Sequence, residues 1–305
     1  MLNFYKLKLF IKEVFLLLKI GLLQLTQNLD DAINGFKAGL IDLGIVAEFY
    51  YCNADGNQAM LPKLAGELAA ANVDLIFACS TPAAKAAQAL PENIPVLFTP
   101  VFDPVQAKLV SSLNAPSGKL TGMSGMVQAD EKVKFIIELL PDAKNIGIIY
   151  HTKDENSLIE HKNFVQAATG YFNVVDIAIN SPEEISMLED KLVDIDAVFL
   201  PIGRIVEENF SSIAYYTDAH NIPIVASHAP NVAMGALGAL VANHYSLGQA
   251  CAKQAKQILI DKINVGQVPV GITDKPEILL NAFTADNLGI KIATQLSAKA
   301  KEVYN

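Results

Sequence analysis

Short apolar runs recur in the two halves of this 305-residue chain at a nearly constant spacing. Three pairs correspond: Lys19–Leu23 with Asn145–Ile149, Asp74–Phe77 with Asp196–Phe199, and Asn93–Leu97 with Asn221–Val225. The members of the three pairs are 126, 122 and 128 residues apart. A near-constant offset between matched strand starts predicts two halves of similar architecture, facing one another across a groove.

The apolar runs alternate with segments of helical periodicity. Strands are predicted at 18–25, 46–52, 74–79, 95–99, 119–124, 145–150, 174–179, 197–200, 223–226, 236–241 and 278–282. Helices are predicted at 29–43, 58–71, 83–90, 105–112, 130–140, 155–169, 182–192, 205–219 and 245–260. Alternating strands and helices indicate βαβ units and parallel sheets, and continuous apolar runs suit strands buried on both faces. The predicted fold class is α/β, with two similar doubly wound parallel-sheet lobes.

The charge and the cysteine content of the chain exclude some classes of function. The net charge is −9 and no Lys/Arg cluster stands out, so a nucleic-acid partner is not expected. Cys52, Cys79 and Cys251 are too few and too widely spaced for a disulfide framework or a zinc site, and we expect them to be small buried hydrophobes. Mean hydropathy is +0.30, which fits strands covered on both faces.

The N-terminus has two interpretations. Lys6, Lys8 and Lys12 precede the apolar Val14–Leu18, as in a secretory leader. Glu13 interrupts that pattern, and neither a small-x-small cleavage site nor a lipoprotein cysteine follows. Residues 1–17 are therefore a true leader or anchor, or a truncated or degenerate one, and the sequence leaves both open.

Polar and aromatic residues follow the predicted strands, at the edge where parallel sheets bind ligands. They are Gln24, Ser80, Thr81, Thr99, Phe102 and Asp103 in the first half, and Tyr150, Arg204, Ser227 and His228 in the second. The contrast between this polar and aromatic set and the flanking Ile, Val and Leu indicates a ligand site more specifically than any single residue of the set does.

Ser80-Thr81-Pro82 has the pattern of a helix start, with a capping hydroxyl before a proline. Free N–H groups at such a start bind anions, and the helix dipole adds about 0.3–1 kcal/mol for a carboxylate. An ordinary capped helix is the alternative. Asp103 before Pro104 has the same ambiguity, since it either caps a helix or holds a ligand ammonium group.

Four other candidates also have two interpretations. Phe102 and Tyr150 either stack on a flat ligand or pack in the core. Arg204, the only arginine in the sequence, either binds a carboxylate in bidentate fashion or lies solvated at a helix start. His228 either hydrogen-bonds a ligand or is a surface loop residue.

The sequence carries no Gly-rich phosphate loop, metalloprotease helix motif or nucleophile elbow. Its five histidines are scattered, and no two have a spacing that suits a metal on one helix. We therefore predict a binding protein rather than an enzyme, with no cofactor and no metal.

Several motifs occur together in the order of a known family. They are Cys79–Ala84, Phe98–Pro104, Leu120–Ser124, Leu140-Pro141, Ile146–Tyr150 and Tyr245–Gly248, together with Gln24 at the end of the first strand. From about Lys19 to Ile290 the chain resembles bacterial ABC-transporter substrate-binding proteins, the group with tryptophan- and tyrosine-binding members.

The resemblance implies a type I periplasmic-binding fold, whose two lobes are joined by three crossings and close on a ligand in the cleft. Lobe I would be 18–124 plus 246–272, and lobe II 125–245 plus 273–305, with hinges near 124–128, 241–245 and 269–275. Ser80 and Thr81 would hold the ligand carboxylate. The resemblance also implies a membrane ABC permease as partner, a monomer, and a location in the periplasm or on the outer face of the cytoplasmic membrane.

Departures from the family pattern fall mostly in lobe II. Pro201–Arg204 stands where Pro-Thr-Asp-Asn is common, Ser227-His228 where Ser-Asp is common, and Asn243 where an Asp is common. Three acidic or acid-adjacent positions are thus neutral or basic. The resulting hypothesis is a carboxylate-bearing ligand that is more negatively charged than an amino acid, or that lacks the amine.

Two other functions remain open. A ligand-sensing domain of the same fold is possible, although about 18 residues before the first strand are too few for a helix-turn-helix reader. A two-domain α/β transferase is the third class, and the missing phosphate loop argues against it.

Overall fold

In the computed structural model, which describes residues 17–91, 93–273 and 276–305, the chain passes three times between two units. Unit 1 comprises Met1–Gly125 and His244–Ile272, and unit 2 comprises Met126–Asn243 and Thr273–Asn305. The predicted leader lies outside the described residues apart from Leu17, as does the end of the third predicted hinge, at 274–275. No described helix is both long and apolar enough to cross a membrane.

The described part of unit 1 contains a five-stranded parallel sheet in the order β2-β1-β3-β4-β5. Its strands are β1 (Leu18–Gln24), β2 (Ala47–Asn53), β3 (Leu75–Cys79), β4 (Val96–Val101) and β5 (Leu120–Ser124). Every residue of β3 is buried, as its apolar sequence predicts for a central strand covered on both faces, and every residue of the edge strand β5 is buried as well. The helices are α1 (Asp30–Asp42), α2 (Leu61–Ala70), α3 (Thr81–Gln88) and, from the later segment, α10 (His244–Leu259).

Helices α1 and α10 pack at unusually close range because glycines lie at their contact. A Cβ built on Gly248 would come within 2.0 Å of the Ala32 carbonyl oxygen, and one on Gly35 within 2.0 Å of the Tyr245 carbonyl oxygen. Glycine therefore lets the two backbones touch, which anchors the returning segment of the chain to unit 1.

The sheet of unit 2 repeats this topology and extends it. Strands β6 to β10 are all parallel and lie in the order β10-β9-β8-β6-β7. When the unit 1 sheet is listed from its other edge, β5-β4-β3-β1-β2, the two orders correspond strand by strand. The repeat predicted from the sequence is thus confirmed. Antiparallel β11 and then β12 extend the sheet beside β10. The strands are β6 (Asn145–His151), β7 (Asn173–Ile179), β8 (Ala197–Leu200), β9 (Ile224–Ala226), β10 (Gly238–Val241), β11 (Glu277–Asn281) and β12 (Glu302–Tyr304).

Helices and two apolar clusters cover the sheet of unit 2. Phe164 on α5 stacks on Phe199 of β8, with ring centroids 4.2 Å apart. The described helices are α4 (Ala129–Leu139), α5 (Glu155–Ala168), α6 (Leu188–Lys191), α7 (Arg204–Glu208), α8 (Phe210–Ala219), α9 (Pro230–Ala233), α11 (Ala282–Asn287) and α12 (Thr294–Lys299).

Two segments that were predicted as α-helices adopt other backbone structure. Residues 105–112 form turns, because Lys108 adopts a left-handed φ of 59° that stops helix propagation. Residues 182–192 form a 3₁₀ helix, Pro182–Met187, and then the four-residue α6. Ile185 in the 3₁₀ helix and Leu188 at the start of α6 are both buried.

A buried ion pair joins α4 to α5 inside unit 2. The Lys132 and Glu160 side chains are 6% and 3% exposed, and Lys132 Nζ donates to Glu160 Oε1. Two further donors reach the same carboxylate: Ser227 Oγ to Oε1 at 2.5 Å, and Ile202 N to Oε2 at 2.7 Å. Such hydrogen bonding is what a buried carboxylate requires to stay charged.

Gly248→Ala is predicted to destabilise the protein by about 1–3 kcal/mol or more, because the new methyl group overpacks the α1–α10 contact. The matched control is Gly66→Ala in α2, where a Cβ meets no atom within 4 Å. That control should gain about 0.5–1 kcal/mol from helix propensity. Urea unfolding measures both, and equal effects of the two substitutions would contradict the close packing.

Lys132→Met should cost about 3–5 kcal/mol, because it leaves the Glu160 charge buried without its cation. The double variant Lys132→Met/Glu160→Leu should be clearly more stable than the single one, since it removes both charges. Urea unfolding of the two variants and of Glu160→Leu completes the cycle. Additive losses would show that the two side chains are not coupled.

Candidate functional site

A row of hydrogen-bonded side chains lies along the carboxyl edge of the unit 1 sheet. Gln24, the last residue of β1, is fully buried; its Nε2 donates to Asp30 Oδ1 at 3.0 Å, and its Oε1 accepts from Tyr51 OH at 2.6 Å. Asn53 Nδ2 donates to the same phenol oxygen at 3.3 Å. Gln24 was predicted as a ligand contact, but its amide nitrogen is bonded to Asp30 and its amide oxygen to Tyr51.

The helix start predicted at Ser80-Thr81-Pro82 is present on the neighbouring strand end. Ser80 Oγ accepts from Ala83 N at 3.4 Å, which is the capping bond of an ordinary helix. Ser80 has a φ of 102°, a conformation that side-chain-bearing residues rarely adopt. Thr81 is 8% exposed. The first turn of α3 contains no acidic side chain; Pro82 lacks an N–H and Ala83 N is bonded to Ser80 Oγ, so this helix start offers a ligand the Thr81 N–H beside the Ser80 hydroxyl.

The other unit 1 candidates are largely committed to the fold. Thr99 is fully buried and Phe102 is 6% exposed, as core packing requires. Asp103 Oδ1 accepts from Val105 N at 3.0 Å and from Gln106 N at 2.9 Å, and Oδ2 accepts from Gln106 Nε2 at 3.0 Å. Asp103 therefore stabilises the turn that follows Pro104, and the helix that it was predicted to cap is absent from the described residues there.

In unit 2, the buried carboxylate of Glu160 fixes two strand ends. It binds the Ile202 backbone after β8 and the Ser227 hydroxyl after β9, while Lys132 Nζ donates to Ser227 Oγ at 2.9 Å. Ser227, predicted as a ligand contact, is therefore held by two charged side chains. The ammonium group comes from α4 and the carboxylate from α5, so the helices that cover the sheet also position its edge.

The remaining unit 2 candidates have local partners. Arg204 Nε donates to Glu208 Oε1 at 2.8 Å, four residues on, and the Arg204 side chain is 77% exposed. Tyr150 stacks on His161, with ring centroids 3.9 Å apart. Asn243 Nδ2 donates to Glu277 Oε1 at 2.9 Å.

His228 has an acidic neighbour that the sequence analysis did not identify. Its Nε2 lies 3.9 Å from Glu207 Oε2, and Glu207 Oε1 accepts from the Gly203 N–H at 3.0 Å. Asp154 also lies at this edge, where it caps α5 and accepts from Arg204 N at 3.4 Å. Acidic groups are therefore present in unit 2, although not at the positions compared by sequence.

Burial and neighbouring charges shift several pKa values. Burial, and then the Asp30 carboxylate, raises the pKa of Tyr51, while burial and Asp176 raise that of Tyr150. Burial also raises the pKa of the Cys79 and Cys251 thiols, which are fully enclosed in unit 1. These groups therefore stay neutral near pH 7, and the two thiols are packing groups rather than nucleophiles.

The described residues contain no group of three or more His, Cys, Asp and Glu side chains arranged to hold a metal. The carboxyl edges of the two sheets carry hydrogen-bonding groups, a helix N-terminus, carboxylates and aromatic rings. Such groups can bind a small polar ligand.

Three known proteins are similar to this chain over most of its length. A tyrosine-binding protein of Clostridioides difficile is 31% identical over 280 residues, which are 89% of this chain and 81% of that protein. A solved Streptococcus pneumonia domain in complex with L-Trp has a TM-score of 0.82 at 28% identity, covering 94% of this chain and 99% of that one. A ligand-free, open Clostridium difficile substrate binding protein with adhesive properties has a TM-score of 0.83 at 29% identity, covering 95% and 100%.

These similarities extend over both units. The fold is that of type I periplasmic-binding proteins, as the resemblance implied. The family model for ABC transporter substrate binding proteins matches residues 19–304. The chain belongs to the ABC transporter substrate binding protein family.

Proposed function

We propose that this protein captures an amino acid with an aromatic side chain and delivers it to an ABC permease in the membrane. The observation that carries this proposal is the family match over nearly the whole chain, together with relatives described as binding tyrosine and L-Trp. The carboxyl edges of the two sheets supply the groups that such a ligand needs.

The ligand would bind between the two carboxyl edges, and closure of the units would enclose it. The three chain crossings near Gly125, Asn243 and Ile272 are the proposed hinges. In unit 1, the start of α3 at Ser80 and Thr81 would receive the carboxylate on the Thr81 N–H beside the Ser80 hydroxyl. In unit 2, the edge held by Glu160 and Lys132 would close on the other side of the ligand.

The role of each edge residue in this proposal follows from its burial. Fully buried Gln24 and Thr99 would act by positioning their neighbours, whereas half-buried Ser80, His228 and Ser227 lie where a ligand can reach. Asp103 and Arg204 have intramolecular partners that a ligand would have to displace. We therefore place both last among the candidate contacts.

The proposal includes a location outside the cytoplasmic membrane and action as a monomer that catalyses no reaction. A sensing role on a signalling partner is the second candidate, because the same ligand-driven closure would serve it. Transport and sensing differ in the partner: a purified cognate permease should bind the closed, ligand-loaded protein.

L-tyrosine or L-tryptophan should raise the Tm of the purified protein, whereas arabinose and glucose should not. At a ligand concentration a hundredfold above Kd, the gain is about 2.7 kcal/mol, which raises Tm by several degrees. Differential scanning fluorimetry followed by titration calorimetry makes the test. Stabilisation by sugars alone would contradict an amino-acid ligand.

Ligand binding should also make the protein more compact. Small-angle scattering at saturating L-tyrosine or L-tryptophan should give a smaller radius of gyration than the ligand-free protein, because hinge closure brings the two units together. An unchanged radius at saturation would rule out the closure mechanism.

A further inference from the structure

The function proposed above uses Gln24 only as a positioning residue and gives no ligand contact to the row Asn53–Tyr51–Gln24–Asp30. Asp30 begins α1 and is exposed, and the Tyr51 side chain is 52% exposed, whereas Gln24 between them is fully buried. A buried amide whose two ends hold two exposed functional groups fixes the positions of both. The outer groups are a carboxylate and an aromatic ring, which face solvent at the edge of the sheet.

Strand register places this row beside the start of α3. Gln24 on β1 pairs with Cys79 on β3, so Ser80 follows on the strand next to the row. Neighbouring strands lie about 4.8 Å apart. Burial and the Asp30 charge both raise the pKa of Tyr51, and the Asp30 charge also contributes to the raised pKa of Cys79, in keeping with the closeness of the three groups.

The two neighbouring strand ends carry opposite charge. The start of α3 has the Thr81 N–H, the positive end of the helix dipole and no acidic residue, so it favours an anion. The Asp30 carboxylate favours a cation, and the face of the Tyr51 ring attracts a cation within about 6 Å. An α-amino acid carries its carboxylate and its ammonium group on one carbon, which suits two such sites on adjacent strands.

We propose that Asp30, held by Gln24 beside Tyr51, binds the α-ammonium group of the ligand and makes the protein selective for amino acids over the corresponding acids without an amine. This inference rests on the proposed function and adds to it the residues that recognise the amine. Asp30 and Tyr51 would be specificity-determining residues, and Gln24 a positioning residue.

The inference opposes the hypothesis drawn from the sequence departures, in which the amine had lost its acidic partners. That hypothesis compared positions in the second half of the chain, whereas Asp30 lies in unit 1 and was not among the residues considered. The two views make opposite predictions about the amine, so one experiment decides between them.

The experiment compares L-tyrosine with 3-(4-hydroxyphenyl)propanoate, which lacks only the amine, by titration calorimetry. Asp30→Asn is the test variant, because it removes the charge but keeps an oxygen for the Gln24 amide. Asp31→Asn is the matched control, since Asp31 is also exposed and lies in the same first turn of α1. L-tryptophan and 3-(indol-3-yl)propanoate form a second pair.

The wild-type protein and Asp31→Asn should bind the amino acids at least about tenfold more tightly than the deaminated acids. Asp30→Asn should lose about tenfold to a hundredfold in amino-acid affinity, with little change for the acids, and should keep a Tm close to that of Asp31→Asn.

Equal amino-acid affinity in Asp30→Asn and wild type would overturn the inference and leave the proposed function standing. Tighter wild-type binding of the deaminated acids would overturn it as well, in favour of the sequence-based hypothesis. No wild-type binding of either amino acid would contradict the proposed function, and the inference would fall with it.

Discussion

The carboxyl ends of parallel strands meet at one edge of a sheet, which is the edge where open α/β sheets bind ligands. In unit 1 this arrangement brings the end of β1 next to the end of β3, so Gln24 and Ser80 become neighbours although 56 residues separate them. In unit 2 it aligns the residues after β8 and β9, which a single carboxylate, Glu160, then ties together. The fold supplies the proximity, and individual side chains supply the chemistry.

Buried polar residues hold both edges in place. Gln24 and the Lys132–Glu160 pair are each enclosed by the protein, and each bonds to groups that face solvent. Burying such groups is costly unless all of their bonds are made. A fixed hydrogen-bonding geometry at the edge reduces the ordering cost that a ligand would otherwise meet on binding. The same residues therefore connect core packing to the proposed recognition of the ligand.

Sequence patterns predicted the strands well because each central strand is a continuous apolar run with a polar residue at its end. They also predicted the repeat, since matched strand starts recur at a nearly constant offset. The turn at 105–112 was missed because one left-handed residue, Lys108, stops a helix that composition alone would allow. The sequence correctly predicted that Thr99 and Gln24 lie near the ends of their strands. Only the structure shows that both side chains are fully buried.

Two residues that sequence reasoning missed, Tyr51 and Glu160, have partners distant in the chain, whereas Asp30 lies only six residues from Gln24. Tyr51 reaches Gln24 across 27 residues, and Ser227 reaches Glu160 across 67. The acidic first turn of α1, Asp30-Asp31, was visible in the sequence, but nothing local indicated that one of the two aspartates joins the strand end. Strand pairing determines such contacts, and a pattern of hydrophobic and polar positions does not encode it residue by residue.

The most direct measurement is a crystal structure of the protein grown with L-tyrosine or L-tryptophan. It should show the ligand carboxylate on the Thr81 N–H at the start of α3 and the ammonium group within hydrogen-bonding distance of Asp30, beside the Tyr51 ring. A ligand bound at the amino ends of the strands, or elsewhere on the surface, would contradict the central claim that the carboxyl edges of the sheets form the binding site.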